Sequence, residues 1–347
     1  MVILGVSLHG IGGLAAGSFY LPLKRVKDWS WESAWLINGI FSWIIAPLVV
    51  ALVTVPTLLQ VIAGTEPGTL VWTYLLGLLW GVGGLTFGLS VRYLGMSLGY
   101  AVALGFCAAF GTLIPTLVDG TIVTLLSTPS GWVVLSGVAV CLAGIAICGY
   151  AGRLKEHALS ANAIEKQEFK VLQGLLVAGF AGIMSACMAF AFAAGAPIAV
   201  IAASAGTAPL WVNNAVLVVI LLGGFTTNAL WCVFLNWRKG TWKDYNNEAT
   251  PRLRNLSLAA IAGVTWYLQF MFYGMGSTKM GEYHFTSWTL HMSFIIITSN
   301  LWSLVLREWK GSGRRPIAIL VAGIVVITLS TVLIGWGNHL QGLEAAH

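Results

Sequence analysis

The chain has 347 residues, 58% of them hydrophobic and only 9% charged, with a mean hydropathy of +0.85. A soluble domain carries about 25% charged residues, so composition excludes a soluble enzyme and leaves an integral membrane protein. The formal charge of +6 resides in loops that orient the chain, and it gives no reason to expect a nucleic-acid partner.

Apolar stretches of the ~20 residues needed to cross a bilayer can be laid down ten times. They cover 2–22, 33–57, 70–91, 97–118, 131–152, 171–195, 209–237, 255–277, 284–306 and 316–337. The seventh is long enough to be tilted or broken. These are near-continuous Leu/Val/Ile/Ala/Gly runs without the alternation of barrel strands. Lysine and arginine set the orientation. Seventeen of the 18 fall in the loops after the first, third, fifth, seventh and ninth spans, and only Lys279 lies on the other side. Ten spans with both termini outside the cytoplasm satisfy that pattern.

In the first span His9, Gly13, Ala16 and Tyr20 share a helical face. His9 is either a ligand or proton carrier, or a neutral imidazole bonded to a neighbouring helix. No basic n-region or cleavage site precedes it, so the segment is expected to stay as a membrane helix. Pro22 is expected to end it. Lys24, Arg25 and Lys27 then place the loop inside, and Trp29 and Trp31 suit the headgroup layer. Ser30 is a candidate N-cap for the second span, with Glu32 in its first turn. This loop reads as an anchor. The third span holds Trp80, Gly81, Gly83, Gly84, Thr86, Phe87 and Gly88. It enters the fourth through Arg92-Tyr93-Leu94-Gly95-Met96-Ser97, so the two form an antiparallel hairpin. The fifth span is Gly-rich scaffold. All five cysteines fall inside spans, without metal-ligand spacing, and read as small apolar residues.

The polar stretch 153–169 divides the chain into two five-span halves, 1–152 and 170–347, and reads as a cytoplasmic linker. Trp80 and Trp266, Gly88 and Gly274, and Gly95 and Gly281 match at one offset of 186 residues. Pro22 and Pro197 are expected to close the first and sixth spans alike. Five is odd, so the second half must be inverted, an arrangement typical of transporters with a central site. In the seventh span, Asn213, Asn214 and Asn228 can either read solute hydroxyls or bond neighbouring helices.

The densest polar pattern lies at 266–293. Trp266, Gln269, Phe270, Tyr273 and Ser277 recur at helical spacing on one face. Lys279 and Glu282 follow in a turn, and His284, Ser287, Trp288, His291 and Thr298 lie on one face of the next span. Such stripes are costly in lipid and tolerated toward a bundle interior or a water-filled path. The alternative is hydrogen bonding to neighbouring helices.

No P-loop motif, catalytic domain or paired intramembrane carboxylates occur in the sequence. Passage of a solute remains, driven by a gradient or by nothing. Aromatic faces at Trp80, Trp266, Tyr273 and Trp288 with amide and imidazole partners suit a sugar, whose ring is apolar on its faces and hydroxylated at its rim. Proton coupling would need a titratable group, for which His9, Glu282, His284 and His291 are the candidates. No organic cofactor or metal is expected, with a proton or a sodium gradient as the energy source.

These segments resemble the L-rhamnose–proton symporter family, within the drug/metabolite transporter superfamily. The resemblance rests on His9, Phe19-Tyr20 with Pro22, Trp29-Ser30-Trp31-Glu32, the Arg92–Ser97 turn, Trp266-Tyr267-Leu268-Gln269-Phe270, Ser287-Trp288, Leu290–Phe294 and Arg314-Arg315-Pro316. It implies an all-α drug/metabolite transporter fold of ten transmembrane helices in two inverted five-helix repeats, located in a bacterial inner membrane. It also implies uptake of L-rhamnose or a related monosaccharide with protons by alternating access. The substrate residues expected are His9, Tyr20, Trp80, Asn214, Trp266, Gln269, Tyr273, Ser287, Trp288 and His291, with Glu282, His284 or His291 for the proton. The alternatives are a drug/metabolite-type exporter or importer of another metabolite, or a membrane sugar receptor without flux. The chain departs from the family pattern at Gly84, Thr86 and Ala193, where the family has asparagines. It departs again at Glu282-Tyr283-His284, where the family has Gln-Tyr-Asp.

Overall fold

A computed structural model describes residues 2–94, 96–118, 120–160, 171–281 and 286–344, and these residues are all-helical apart from turns. Gly95, Asp119, residues 161–170 of the linker, and Glu282 and His284 lie outside the described residues. The chain opens with α1 (Val2–Ser18) and the short α2 (Tyr20–Leu23). Next come α3 (Trp31–Ile40), a π-helical turn (Phe41–Ile45), α4 (Ala46–Thr54) and α5 (Leu58–Gly64). The first half continues with α6 (Pro67–Leu94), α7 (Met96–Val118), α8 (Thr121–Ser127) and α9 (Pro129–Ser160). The second half contains α10 (Val171–Ala194), α11 (Ala196–Ser204), α12 (Asn213–Lys239), a 3₁₀ turn (Thr241–Asn246), α13 (Arg252–Ser277), α14 (Thr286–Val305) and α15 (Arg314–Glu344).

Among the described residues, eight helical stretches are long and apolar enough to cross a membrane: Val2–Leu23, Trp31–Thr54, Pro67–Phe87, Pro129–Leu159, Leu172–Ser204, Asn213–Lys239, Arg252–Ser277 and Arg314–Glu344. A ninth results if Val102–Val118 and Thr121–Ser127, bent by 100°, count as one span. That bend passes through Gly120 at φ +80°, a left-handed conformation that glycine adopts without strain. The remaining long helix, α14, is diluted by Thr286, Ser287, Thr289, His291, Ser293 and Thr298, all of them buried. Large apolar side chains such as Leu14, Val53, Trp72, Leu176 and Val332 face outward, as a hydrocarbon surround permits.

Three local expectations change. Pro22 sits inside α2 rather than beyond the helix end. Pro197 does not close a helix either: it occupies the first turn of α11, where a missing N–H costs nothing. The seventh span is unbroken from Asn213 to Lys239.

Contacts sort the chain into two units, each drawing on both halves of the sequence. One comprises Met1–Gly13, Gly83–Ala189 and Gly276–His347; the other comprises Leu14–Val82 and Phe190–Met275. In the first, α9 and α15 run antiparallel along most of their length. A Cβ on Gly137 would meet Ile334 and one on Gly144 would meet Ile327, while Cβ atoms on Gly323 and Gly337 would meet Cys148 and Val134. Small residues let the two backbones approach where dispersion, without a hydrophobic drive, must hold helices together. Val138, Met280, Leu290 and Ile334 form a buried cluster beside this pair.

In the second unit, α6 and α12 cross just as closely. A Cβ on Gly77 would lie 2.2 Å from the Ile220 carbonyl oxygen, and one on Gly223 would lie 2.2 Å from that of Tyr74. Backbone atoms cannot step aside as a flexible side chain does. Gly223→Ala should therefore destabilise the protein by about 1–3 kcal/mol, seen as a lowered melting temperature in detergent. Gly64→Ala, where a Cβ would meet nothing within 4 Å, is the control and should melt like the parent.

Candidate functional site

The expected site residues fall into both units. In the first unit, α1 supplies His9 and α14 supplies Ser287, Trp288 and His291. Both histidines are fully buried, and their rings meet edge to face with centroids 6.3 Å apart. Gly276 makes room for this pair, since a Cβ there would lie 2.9 Å from His9 Cε1 and Nε2. On the same helix as His291, the Trp288 indole N–H donates to the Cys107 carbonyl oxygen at 2.9 Å. Gly111 leaves the space that this ring occupies. Thr289 and Thr112 share a hydrogen bond at 2.5 Å, Ser293 lies 3.1 Å from Cys141 Sγ, and Asn338 donates to Thr286 at 3.1 Å. The polar stripe of α14 is thus largely satisfied by neighbouring helices. The Ser287 hydroxyl is buried with no hydrogen-bond partner among the described residues.

In the second unit, aromatic side chains close into a circuit. Phe19 meets Trp35 at 6.3 Å, Trp35 meets Trp43 at 6.1 Å, and Trp43 meets Trp80 at 6.0 Å. Trp80 meets Phe270 at 5.3 Å, Phe270 meets Trp266 at 6.0 Å, and Trp266 returns to Phe19 at 4.0 Å. Edge contacts dominate, the geometry that ring quadrupoles favour. Trp80 and Trp266 were expected at the site. Trp35 and Trp43 were not, because the second span shows no polar stripe to draw attention to them. Gln269 is buried on α13 between these rings in sequence, and Tyr273 packs against Phe192 at 4.9 Å. Tyr20 is 44% exposed with Lys24 Nζ 6.0 Å from its ring centroid. The amides of α12 bond within the unit: Asn213 to Gly274 O at 2.7 Å, Asn214 to Thr54 Oγ1 at 2.9 Å, and Asn228 to Gly224 O at 2.9 Å.

A third cluster escaped the sequence reading. The start of α3, read as an anchor, is joined to the end of α12 by two buried carboxylates. Glu32 accepts from Lys239 Nζ at 3.1 Å and from Thr241 Oγ1 at 3.1 Å. Asp244 accepts from the Ser30 N–H at 2.8 Å and lies 2.8 Å from Ser33 Oγ. Ser30 occupies the N-cap position, but its side chain makes no capping bond. The Tyr245 hydroxyl donates to the Ser33 carbonyl oxygen at 3.0 Å, and burial pushes this phenol up to about 12, so it stays protonated through the physiological range.

Comparison with known proteins shows the family. The family model of the L-rhamnose-proton symport protein matches residues 1–339. The chain belongs to that family. It is 39% identical over 343 residues to an L-rhamnose-proton symporter of Yersinia pestis (strain Pestoides F), covering 97% of this chain and 98% of the relative. It is 38% identical over 341 residues to one of Salmonella gallinarum, with the same coverage. The family is named for transport, and the apolar helices fit a multi-pass membrane protein.

The carboxylate cluster makes a definite prediction for this family member. Lys239 is half-exposed and Glu32 is not. Lys239→Ala strands a buried charge, whereas Glu32→Gln only releases a lysine to water. Lys239→Ala should lower stability by about 1–3 kcal/mol and Glu32→Gln by less. The double variant should recover part of the Lys239→Ala loss in thermal melts.

Proposed function

We propose that this protein is a secondary active transporter that takes up L-rhamnose together with protons by alternating access. The observation that carries this reading is near-full-length identity of 38–39% to relatives named L-rhamnose-proton symporters. Its setting is a bacterial inner membrane. The ten spans form two inverted five-helix repeats of the drug/metabolite transporter superfamily, 1–152 and 170–347, with a cytoplasmic linker at 153–169 and both termini outside. The basic-loop pattern and the offset of 186 residues between the halves support that arrangement.

Sugar recognition is assigned first to Trp80, Trp266, Gln269 and Tyr273, with Tyr20, Asn214, Ser287 and Trp288 as further expected contacts. Aromatic faces take the apolar face of a pyranose, and amide groups take its hydroxyls. The proton is assigned to the His9–His291 pair, with Glu282 and His284 as outer candidates. Two imidazolium charges 6.3 Å apart repel by about 2–3 kcal/mol at an effective dielectric of about 20. Repulsion of that size allows the pair at most one proton at a time, taken up and released as a conformational change alters its surroundings. Low dielectric around buried rings makes the coupling tight.

Reconstituted protein should accumulate labelled L-rhamnose only under an imposed inward proton gradient. His291→Ala should bind the sugar and equilibrate it without accumulation. Gradient-driven accumulation by that variant would remove the proton assignment. Accumulation of another sugar in place of rhamnose by the parent protein would keep the transporter and replace its substrate.

A further inference from the structure

Helix-forming sequence around residue 40 carries an irregularity that apolar packing does not require. Between α3 and α4 the backbone adopts π-helical geometry over Phe41–Ile45, with the Ala46 N–H bonded to the Phe41 carbonyl oxygen. Such single π turns recur at functional sites, because they redirect side chains that a regular helix would bury in its own ridge. Three polar side chains cluster at this turn. Asn38 and Ser42 are fully buried and Trp43 is 3% exposed. Both amide atoms of Asn38, the Ser42 hydroxyl and the Trp43 indole N–H have no hydrogen-bond partner among the described residues.

An unmade buried hydrogen bond is expensive, and native structures rarely keep one without a purpose. Four such atoms fall within six residues here. The neighbourhood is fixed from two sides. The Trp43 ring lies against Gly39, where a Cβ would sit 3.0 Å from Cε3 and Cζ3. Gly263 of α13 lies at the turn itself, since a Cβ there would stand 2.4 Å from the Asn38 carbonyl oxygen and 3.1 Å from the Ser42 nitrogen. One turn along α13 from Gly263 is Tyr267, and one residue short of that is Trp266. The Tyr267 hydroxyl and the Trp266 indole N–H are likewise buried without a partner among the described residues. Trp43 also joins Trp80 in the aromatic circuit at 6.0 Å.

We propose that the π-helical turn of the second span is part of the sugar site, with Asn38, Ser42 and the Trp43 indole N–H reading pyranose hydroxyls. This rests on the transport reading above and adds a span that the sequence left out of the site. The chemistry fits a polyol: a carboxamide offers two donors and an acceptor, a hydroxyl offers either, and an indole adds a donor beside an aromatic face.

The test uses near-isosteric variants in proteoliposomes. Asn38→Leu removes only polar atoms that are unpaired in the protein alone, so its melting temperature should stay the same or rise. Its KM for L-rhamnose should rise about tenfold, the value of one lost hydrogen bond. Trp43→Phe keeps a ring and removes the donor, and it should raise KM about fivefold to tenfold with little change in kcat. Unchanged KM in both variants, with the parent protein transporting rhamnose, overturns the inference and leaves the transport reading standing. A fall in melting temperature with unchanged KM assigns these atoms to structure and overturns it as well. If the parent protein takes up no rhamnose, the reading fails and the inference falls with it.

Discussion

Within an apolar surround a polar atom has no water to fall back on, so its partner must come from the protein or from what the protein carries. This constraint orders the whole structure. It explains why α14 is tolerated at membrane depth: Trp288, Thr289 and Thr286 each find a carbonyl, hydroxyl or amide on another helix, and Ser293 donates to the Thr289 carbonyl oxygen of its own helix with Cys141 Sγ 3.1 Å away. It explains why glycine recurs where helices cross, because those bonds form only if backbones come close. The Gly77–Gly223 crossing and the seatings of Gly111 and Gly276 are geometric consequences of the same need. At Ser287, Asn38, Ser42, Trp43 and Trp266 a buried polar atom has no hydrogen-bond partner among the described residues.

Much of this was legible in the sequence because it depends on one-dimensional patterns. Hydropathy placed the long helices, because a single apolar medium decides which segments enter it, but it stopped short of the ends of α9 and α15 at Ser160 and Glu344 and missed the short helices α5, α8 and α11. The stripe at 266–293 is largely buried in the fold, and hydrogen bonding to neighbouring helices, one of its two alternatives, is seen on α14. His9 and His291 come together as a buried pair, while Trp288 and Thr289 bond to neighbouring helices. Spacing gives the face on which a residue lies, but not what stands opposite. The same limit hid the Glu32–Lys239 and Ser30–Asp244 links, which join residues more than 200 apart in sequence. A carboxylate next to a basic loop reads as surface, and only the fold shows that it is buried. Prolines misled for a related reason. Pro197 is compatible with either a helix end or a helix start, and the chain uses it as a start.

The second span is the clearest case of a feature that no periodicity could display. Asn38 and Ser42 look like isolated polar residues in a long apolar run, and Trp35 and Trp43 look like membrane aromatics. Their meaning depends on the π-helical turn and on Gly263 bringing α13 against it. A local backbone slip of one residue leaves no compositional trace.

The departures from the family pattern bear on the same point. The resemblance puts asparagines where this chain has Gly84 and Ala193, and the structure leaves room at both. A Cβ on Gly84 would meet nothing within 4 Å, and Ala193 is exposed. An amide at either position would add hydrogen-bonding capacity without disturbing the helices around it. A sugar of fixed hydroxyl count must then find its partners elsewhere, or else the preferred solute must carry fewer hydroxyls. Asn38 belongs to the same unit as Ala193 and supplies the same functional group. Selection for one pyranose can be met by moving an amide from one helix to another, because a hydroxyl is recognised by the position of a donor and not by the helix that bears it.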